Sequence, residues 1–255
     1  MPLMRRFFPT LMLSAIFLAV WQGYCALSGV SPLVLPGPVD VLRSLVVERE
    51  RIAPHALSTI TVAGLGFSTS VLFAFTASVA LHFSPWLERG FMPLLVASQT
   101  VPLVALAPLM ILWFGFGLLP KVLLVILVTF FPILVSLLSG YRQTPRAYVD
   151  LLRSMGAGRA RVFLRAILPS ARALFFAGLR ISATYAIVAT IFAEYAGARQ
   201  GLGIYILTAK NSFRADLVLA AVVVSAVLTL FLLGTLRTID VTTARGHRRG
   251  RDAAG

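Results

Sequence analysis

The chain has 255 residues, of which 58% are hydrophobic and only 13% are charged, and its mean hydropathy is +0.90. Soluble domains are about half apolar and about a quarter charged, so this composition excludes an ordinary soluble domain and indicates a membrane protein. The single cysteine, Cys25, excludes an intrachain disulfide, and the three histidines lie in unrelated segments that predict no metal site. We expect no cofactor.

Six apolar segments are long enough to cross a membrane, because about 20 helical residues span about 30 Å of hydrocarbon. They are Phe8–Leu27, Leu57–Leu81, Leu94–Trp113, Val122–Leu138, Leu174–Ala193 and Leu217–Leu236. The first segment is long for a signal peptide and lacks a small-residue cleavage site at its end, so we interpret it as a retained helix. The sequence therefore predicts an all-α membrane protein with six transmembrane helices.

Two further patterns precede the third span. After a proline-rich turn, Val41, Leu42, Leu45 and Val46 recur at helical spacing. They predict a short amphipathic helix on the outer surface.

Within the second span, small residues at close spacing indicate a face that packs against another helix. These residues are Gly64, Ser68, Ser70, Ala74 and Ser78.

Prolines interrupt the third and fourth spans. The third contains Gln99, Thr100, Pro102 and Pro108, and the fourth contains Pro132. Proline removes a backbone donor and kinks a helix, which a membrane helix tolerates when its neighbours satisfy the freed carbonyls. Two interpretations stay open: these are ordinary kinks, or the kinks and the polar pair Gln99 and Thr100 together shape a cavity.

The fifth span has one charged residue near each end, with Arg180 on the inner side and Glu194 on the outer side. The favoured interpretation is that both side chains reach towards the membrane interface. The alternative places Glu194 near the outer mouth of a solute path. The candidate residues for such a translocation path are Gln99, Thr100, Pro102, Tyr185 and Glu194.

The charges and nucleophiles that other function classes need are missing from the spans. No aspartate, glutamate or lysine lies deep within any of them. Carriers driven by ion gradients usually keep such carboxylates, so this absence argues against a secondary carrier. The spans also contain no paired carboxylates, histidine cluster or nucleophile–base set. We therefore predict no catalytic residues and no enzyme activity.

The Lys and Arg residues are unevenly distributed among the loops. If the N-terminus is cytoplasmic, sixteen of the 23 lie on the inner side and seven on the outer side. Positive charge stays inside, so both termini are predicted to be cytoplasmic, in agreement with an even number of spans. This orientation accounts for the net charge of +14 without nucleic-acid binding, which we do not expect.

The segment Tyr141–Arg172, between the fourth and fifth spans, carries seven arginines and one acidic residue, Asp150. It is predicted to lie in water on the cytoplasmic side. One apolar stripe at i, i+3, i+4 and i+7 predicts a short helix within it. The stripe consists of Tyr148, Leu151, Leu152 and Met155. Asp150 and Arg153 stand off the stripe, three residues apart, where they can pair weakly.

Turn signals follow this stripe. Gly156 comes directly after it and is suited to a left-handed helix cap. A second short helix is predicted from about Gly158, and Pro169 is predicted to force Leu168 out of the helical region and so to end it. Two interpretations stay open: the segment rests on anionic lipid headgroups, or it offers its apolar stripe to a groove on a partner protein.

These residues carry a family resemblance. Asp150-Leu-Leu, Gly156 and Ile167-Leu-Pro resemble the Glu-Ala-Ala…Gly…Leu-Pro loop of the binding-protein-dependent permeases of ABC importers. Other segments resemble the nitrate/sulfonate/taurine-type branch of that family. They are residues 99–109, 113–117, 130–132, 178–182, 194–198 and 201–203, and the whole resemblance covers roughly residues 30–240.

The resemblance implies the type I ABC importer permease fold, multi-pass in the bacterial cytoplasmic (inner) membrane. It implies four kinds of partner: a second permease subunit, identical or closely related, two cytoplasmic ATP-binding subunits, an extracytoplasmic solute-binding protein, and membrane lipid. The loop would be the coupling loop that docks the ATPase. Its site residues would be Tyr148, Asp150, Leu151, Leu152, Arg153, Met155, Gly156 and Pro169. The chain has no GxxxxGK[ST] motif, so a separate subunit would hydrolyse ATP.

The expected organisation has three parts. Residues 1–56 contain the first transmembrane helix and the external amphipathic segment, and residues 57–240 form a permease core of five transmembrane helices with the coupling loop 141–172. Residues 241–255 form a basic cytoplasmic tail. Leu151 and Leu152 replace the family's paired alanines, and Asp150 replaces its glutamate, which leaves the ATPase partner open. The resemblance slightly favours a thiamine-precursor pyrimidine or similar heterocycle as solute. An alkanesulfonate, taurine or nitrate is the alternative.

Overall fold

The computed structural model of the chain describes the backbone of residues 2–252 and the side chains of residues 8–243. All regular elements in this described part are helical. They are α1 (Pro2–Leu27), α2 (Pro38–Val47), α3 (Arg49–Phe83), α4 (Pro85–Ser98), α5 (Leu103–Phe114), α6 (Leu118–Arg142), α7 (Arg146–Ser154), α8 (Arg159–Val162), a π-helical turn (Phe163–Ile167), α9 (Leu168–Ser170), α10 (Arg172–Tyr195), α11 (Leu202–Asn211) and α12 (Ala215–Asp252).

Five of these helices are long and apolar enough to cross a membrane: α1, α3, α6, α10 and α12. This confirms the all-α membrane class. The predicted third span is not one kinked helix, because α4 and α5 are separate helices with a bend of 101° at a short break. If this pair is counted as one broken span, the number of candidate spans is the predicted six. The break has a local cause. Pro102 has no amide hydrogen, and the residue before a proline avoids the helical region.

The core lies where α3, α6 and α10 pack together, around fully buried residues such as Leu124, Leu134 and Ala183. Glycines allow the close approach: a Cβ at Gly66 would lie 2.6 Å from the Val125 Cβ, and one at Gly178 would lie 2.7 Å from Ser136. Small residues thus pack helices together here, as membrane helices commonly do.

The small-residue face predicted for the second span is confirmed in part. Ser70, Ala74 and Ser78 are fully buried. Gly64 and Ser68 belong to a different side of α3: Ser68 is exposed, and a Cβ at Gly64 would meet nothing within 4 Å. The span also begins at Arg49, eight residues before its predicted start at residue 57.

The predicted amphipathic helix is α2, which packs against α12. Val41 is buried in a second apolar cluster with Ile52, Leu202 and Ala220. Ser44 Oγ donates a hydrogen bond of 2.6 Å to Asp216 Oδ2 at the start of α12. These contacts fix α2 to the rest of the protein.

The last helix extends beyond the predicted sixth span. Its backbone is helical to Asp252, so the predicted basic tail 241–255 is helical over most of its length, and residues 253–255 lie outside the described part. The carboxylate of Asp240 forms ion pairs with the guanidinium groups of Arg172, at 2.7 Å, and Arg180, at 3.3 Å. These ion pairs join α10 to α12. Arg180 thus pairs with a carboxylate rather than only reaching towards an interface.

Candidate functional site

The apolar stripe of the loop 141–172 lies on α7 and faces outward. Tyr148 and Leu151 each keep 59% of their surface exposed and Met155 keeps 73%, whereas Leu152 is half-buried. Exposed apolar side chains on a strongly amphipathic helix mark a surface for another molecule. The family that this loop resembles has alanine at the position of Leu151. The additional side-chain volume of Leu151 therefore lies on the exposed surface of α7.

The end of α7 is fixed by its backbone. Gly156 has a φ of +76°, in the left-handed region that favours glycine. Its N–H donates to the Arg153 carbonyl, and the Ala157 N–H donates to the Leu152 carbonyl, both at 2.9 Å. This pair of bonds is the Schellman motif, so the predicted cap is confirmed. Gly158 then caps α8, as predicted.

The prediction that Pro169 ends the second short helix is wrong. Leu168 stays helical, with φ −61° and ψ −46°, and a π-helical turn over Phe163–Ile167 leads through Pro169 towards α10. A proline is tolerated in the first turn of a helix because its missing N–H would have no partner there. Pro169 occupies such a first-turn position in α9.

The π-helical turn anchors the loop to the spans. Phe163 is buried, and its ring centroid lies 5.0 to 5.2 Å from those of His82, Phe83 and Tyr141. Tyr141 in turn shares a hydrogen bond of 3.0 Å with Ser78. This aromatic cluster joins the loop to the ends of α3 and α6. Sequence reasoning missed it, because its members lie up to about 80 residues apart with no shared spacing.

The polar residues of the loop are available to a partner. Asp150 and Arg153 are both exposed, and no ion pair links them in the part of the chain that the structure describes. The other arginines that surround α7 and α8 are exposed too. They are Arg146, Arg159, Arg161 and Arg165. Arg142 at the end of α6 pairs with Glu88 of α4.

Three candidate path residues form the break between α4 and α5. Gln99 and Thr100 are exposed, and Pro102 caps the start of α5. The Gln99 Nε2 donates to the Leu127 carbonyl of α6 at 3.4 Å. Tyr185 is 50% exposed on α10 and has no hydrogen bond to these residues within the described side chains.

Glu194 occupies a different environment from the other candidates. The favoured interpretation, a side chain that reaches the interface, is wrong, because Glu194 is completely buried. Its carboxylate accepts hydrogen bonds from Thr59 Oγ1 at 2.9 Å and from the Gly203 N–H at 2.8 Å. Thr59 Oγ1 also accepts from the Leu202 N–H at 2.8 Å. The start of α11 thus binds the carboxylate directly through the Gly203 N–H and indirectly through Thr59, which suits the positive end of a helix dipole.

Two glycines allow the close approach of α11 to Glu194 and to the backbone of α10. A Cβ at Gly201 would overlap the Glu194 carboxylate, and a Cβ at Gly203 would overlap the Ile191 carbonyl oxygen. We call Glu194, Thr59, Gly201, Leu202 and Gly203 the outer latch, because the orientation predicted from the charges would place them on the outer side. The outer latch joins α11 to α10 and α3 through hydrogen bonds between residues up to 143 positions apart in the sequence.

The Thr59 hydroxyl is expected to stabilise the outer latch. Thr59→Val removes the hydroxyl bond to the buried Glu194 carboxylate, which keeps only the Gly203 N–H, and leaves the Leu202 N–H without a partner. We therefore expect it to cost about 1–3 kcal/mol of stability. Thr69→Val is the matched control, since that exposed hydroxyl bonds only to the Leu65 carbonyl of its own helix. Thermal unfolding of the detergent-solubilised protein measures both. Equal unfolding temperatures for the two variants would contradict the role of Thr59.

A cleft of about 1150 Å³ opens beside the outer latch. Its walls come from the first half of α3, the turn before α6, and the segment 197–200 between α10 and α11. Two cations line it, Lys121 and Arg199, together with the polar side chains of Ser58 and Gln200 and the exposed ring of Phe116. Both cations are among the seven Lys and Arg residues that the sequence assigned to the outer side. The sequence did not predict that they line the same cleft.

Comparison with known proteins identifies the fold and the family. Residues 56–241 match the family described as the binding-protein-dependent transport system inner membrane component. The chain belongs to this family. The formylaminopyrimidine transport permease protein ThiX of Halalkalibacterium halodurans is 31% identical over 226 residues, which cover 88% of this chain and 90% of that protein. The taurine transport system permease protein TauC of Escherichia coli is 31% identical over 246 residues, which cover 94% of this chain and 90% of that protein.

A solved structure shares the fold. The MetNI methionine ABC transporter in an inward-facing conformation aligns with a TM-score of 0.66 at 15% identity, over 74% of this chain and 94% of that chain. The family match and these two relatives therefore make the protein a permease subunit of an ABC importer of the inner membrane. The family implies ATP-binding subunits and a binding protein as partners. The loop 141–172 lies within the matched residues.

Proposed function

We propose that α7 and the π-helical turn form the coupling loop, on which a separate ATP-binding subunit docks. The observation that carries this proposal is the exposed apolar stripe of Tyr148, Leu151 and Met155, which ends at the rigid cap of Gly156. An amphipathic helix that docks in a groove uses such a stripe. The aromatic cluster around Phe163 would pass a displacement of α7 on to α3 and α6, because close-packed rings transmit strain.

A second permease subunit, identical or closely related, would complete the solute path. The break between α4 and α5 leaves Gln99, Thr100 and Val101 exposed in the single chain. Non-helical backbone at membrane depth is tolerated only where it is buried in protein or lines a water-filled cavity. We therefore infer that the break faces either the partner subunit or the path between the two. Tyr185, half exposed on α10, is a further candidate for the path.

The distribution of charge supports a cytoplasmic position for both termini and for the coupling loop. The five exposed arginines on α7, α8 and the π-helical turn would then face the cytoplasm, as the positive-inside rule requires. They are Arg146, Arg153, Arg159, Arg161 and Arg165. The outer latch and the cleft would face the opposite side, where a binding protein delivers the solute.

The solute is a small organic molecule in this proposal. The resemblance of residues 183–185, 194–197 and 201–203 slightly favours a thiamine-precursor pyrimidine or similar heterocycle, and an alkanesulfonate, taurine or nitrate is the alternative. Sequence identity does not separate the two classes, since ThiX and TauC are each 31% identical to this chain.

Uptake into proteoliposomes tests the proposed function. The permease is reconstituted with its ATP-binding subunits and binding protein, and the solute of that binding protein is the probe. We expect uptake that requires ATP and that persists after ionophores collapse the ion gradients. Uptake that continues without ATP and stops when the gradients collapse would instead assign the chain to the ion-gradient-driven carriers.

A further inference from the structure

We propose that Lys121 and Arg199 form an anion-recognition site in the outer cleft, which receives the acidic group of the transported solute. This inference rests on the proposed function, because it treats the cleft as the place where the solute arrives. It assigns the solute to the organic anions, such as sulfonates or carboxylates. It therefore selects the alternative solute class over the neutral heterocycles.

The first argument is that both cations lack a carboxylate partner. Neither Lys121 nor Arg199 forms an ion pair with any described acidic side chain. The carboxylate of Glu194 is close by in the fold, but it is completely buried and already bound by Thr59 and the Gly203 N–H. Lys121 and Glu194 attract each other only through a longer-range Coulomb interaction, without an ion pair, so the cleft still offers two cations that an anion could contact directly.

The second argument concerns the position of Lys121. It lies in the first turn of α6, which begins at Leu118, and its side chain is half-buried. The positive end of the helix dipole disfavours a cation there, and an anion at that point would be favoured by both the dipole and the ammonium group. Gly117 and Leu118 also line the cleft, so the start of α6 faces the same space.

The third argument concerns the shape of the cleft. Apolar residues of α3, including Pro54, Leu57 and Val62, line it beside the two cations. A site with an apolar wall and a few convergent polar groups is typical of small-molecule binding. The volume of about 1150 Å³ is more than one small anion fills. It leaves room for an organic body beside the charged group.

The rim of the cleft is held in place. Gly197 and Gln200 belong to the segment between α10 and α11, whose two ends are fixed by the outer latch. Ser58 Oγ donates to the Gln200 carbonyl at 3.3 Å, and the Gly201 N–H donates to His55 Nδ1 at 3.1 Å. Arg199 lies within this segment and is exposed to the cleft, and a backbone fixed at both ends lowers the cost of organising the site.

Binding of a matched pair of probes tests this site. The full chain is placed in nanodiscs of phosphatidylcholine, which carries no net charge, and saturation-transfer NMR measures binding of ethanesulfonate and of its neutral isostere, ethanesulfonamide. We expect saturable binding of ethanesulfonate and about tenfold weaker binding of the sulfonamide. Lys121→Gln and Arg199→Gln should each weaken ethanesulfonate binding by about threefold to tenfold. Lys210→Gln is the control, since Lys210 is an exposed cation on α11 that does not line the cleft.

Several outcomes would overturn the site. They are the absence of saturable ethanesulfonate binding, equal binding of the two probes, and unchanged binding in both cleft variants. A Glu-rich hexapeptide is the third probe. If it bound to the wild type but not to the two variants, while ethanesulfonate did not bind, the cleft would recognise an acidic protein segment and the solute proposal would fail. ATP-driven uptake in proteoliposomes is independent of these readouts, so the proposed function can survive the loss of this site.

Discussion

Gly203→Ala is expected to destabilise the protein by about 3 kcal/mol or more, as overpacking with no room to relax does. The new Cβ would overlap the Ile191 carbonyl oxygen of α10 and would lie 2.7 Å from the Glu194 Cβ. A backbone carbonyl within a packed helix cannot move aside as a flexible side chain can. The variant must therefore shift α11 away from α10 and lose the hydrogen bond to the carboxylate. Thermal unfolding in detergent should show a decrease of about 10 °C.

Gly64→Ala is the control for this prediction. Gly64 lies inside α3, and a Cβ added there would meet nothing within 4 Å. Alanine favours a helix by about 1 kcal/mol over glycine, so this variant should unfold at the wild-type temperature or slightly above it. If Gly203→Ala unfolded at the same temperature as Gly64→Ala, the close contact of α11 with α10 would be refuted.

Local signals in the sequence predicted much of the backbone conformation of the loop 141–172. The cap at Gly156 and the restart at Gly158 depend on backbone preferences of single residues, which a sequence displays directly. The spacing of the apolar residues likewise predicted the apolar stripe on α7. The helical path through Pro169 could not be predicted in this way. Proline disfavours a helical conformation in the residue before it, but Leu168 is helical here after a π-helical turn. That turn contains Phe163, which is buried against residues distant in the sequence.

Tertiary contacts explain what the sequence did not reveal. Pro102 indicated a kink in the third span, but the angle of 101° depends on how α4 and α5 pack against their neighbours. The outer latch joins Thr59 to Glu194, and the cleft joins Lys121 to Arg199. No periodicity links residues so far apart. Glu194 stood out as a charge near the end of a span, but the rest of the segments 194–198 and 201–203 stood out only through family resemblance. The buried carboxylate gives that pattern a physical reason.

Gly156→Thr is expected to uncouple ATP hydrolysis from transport. Gly156 has a φ of +76°, where a β-branched residue is strained by about 2 kcal/mol. The chain can relieve this strain by opening the Schellman bonds that end α7, which moves Leu151 and Met155 relative to the aromatic cluster. Since about 1.4 kcal/mol corresponds to a tenfold change in an equilibrium, we expect solute uptake per ATP hydrolysed to fall by about tenfold or more. The open surroundings of Gly156 should leave membrane insertion intact.

The same substitution two residues later separates strain from bulk. Gly158 has φ −68° and ψ 165°, which threonine adopts readily, and a Cβ there would meet nothing within 4 Å. Threonine is also a better helix N-cap than most residues, so Gly158→Thr should keep wild-type coupling. Paired measurements of uptake and ATPase activity on the two variants therefore test the cap itself. Wild-type coupling in Gly156→Thr would refute its role, and equal losses in both variants would show that the loop tolerates no added side chain, whatever its backbone conformation.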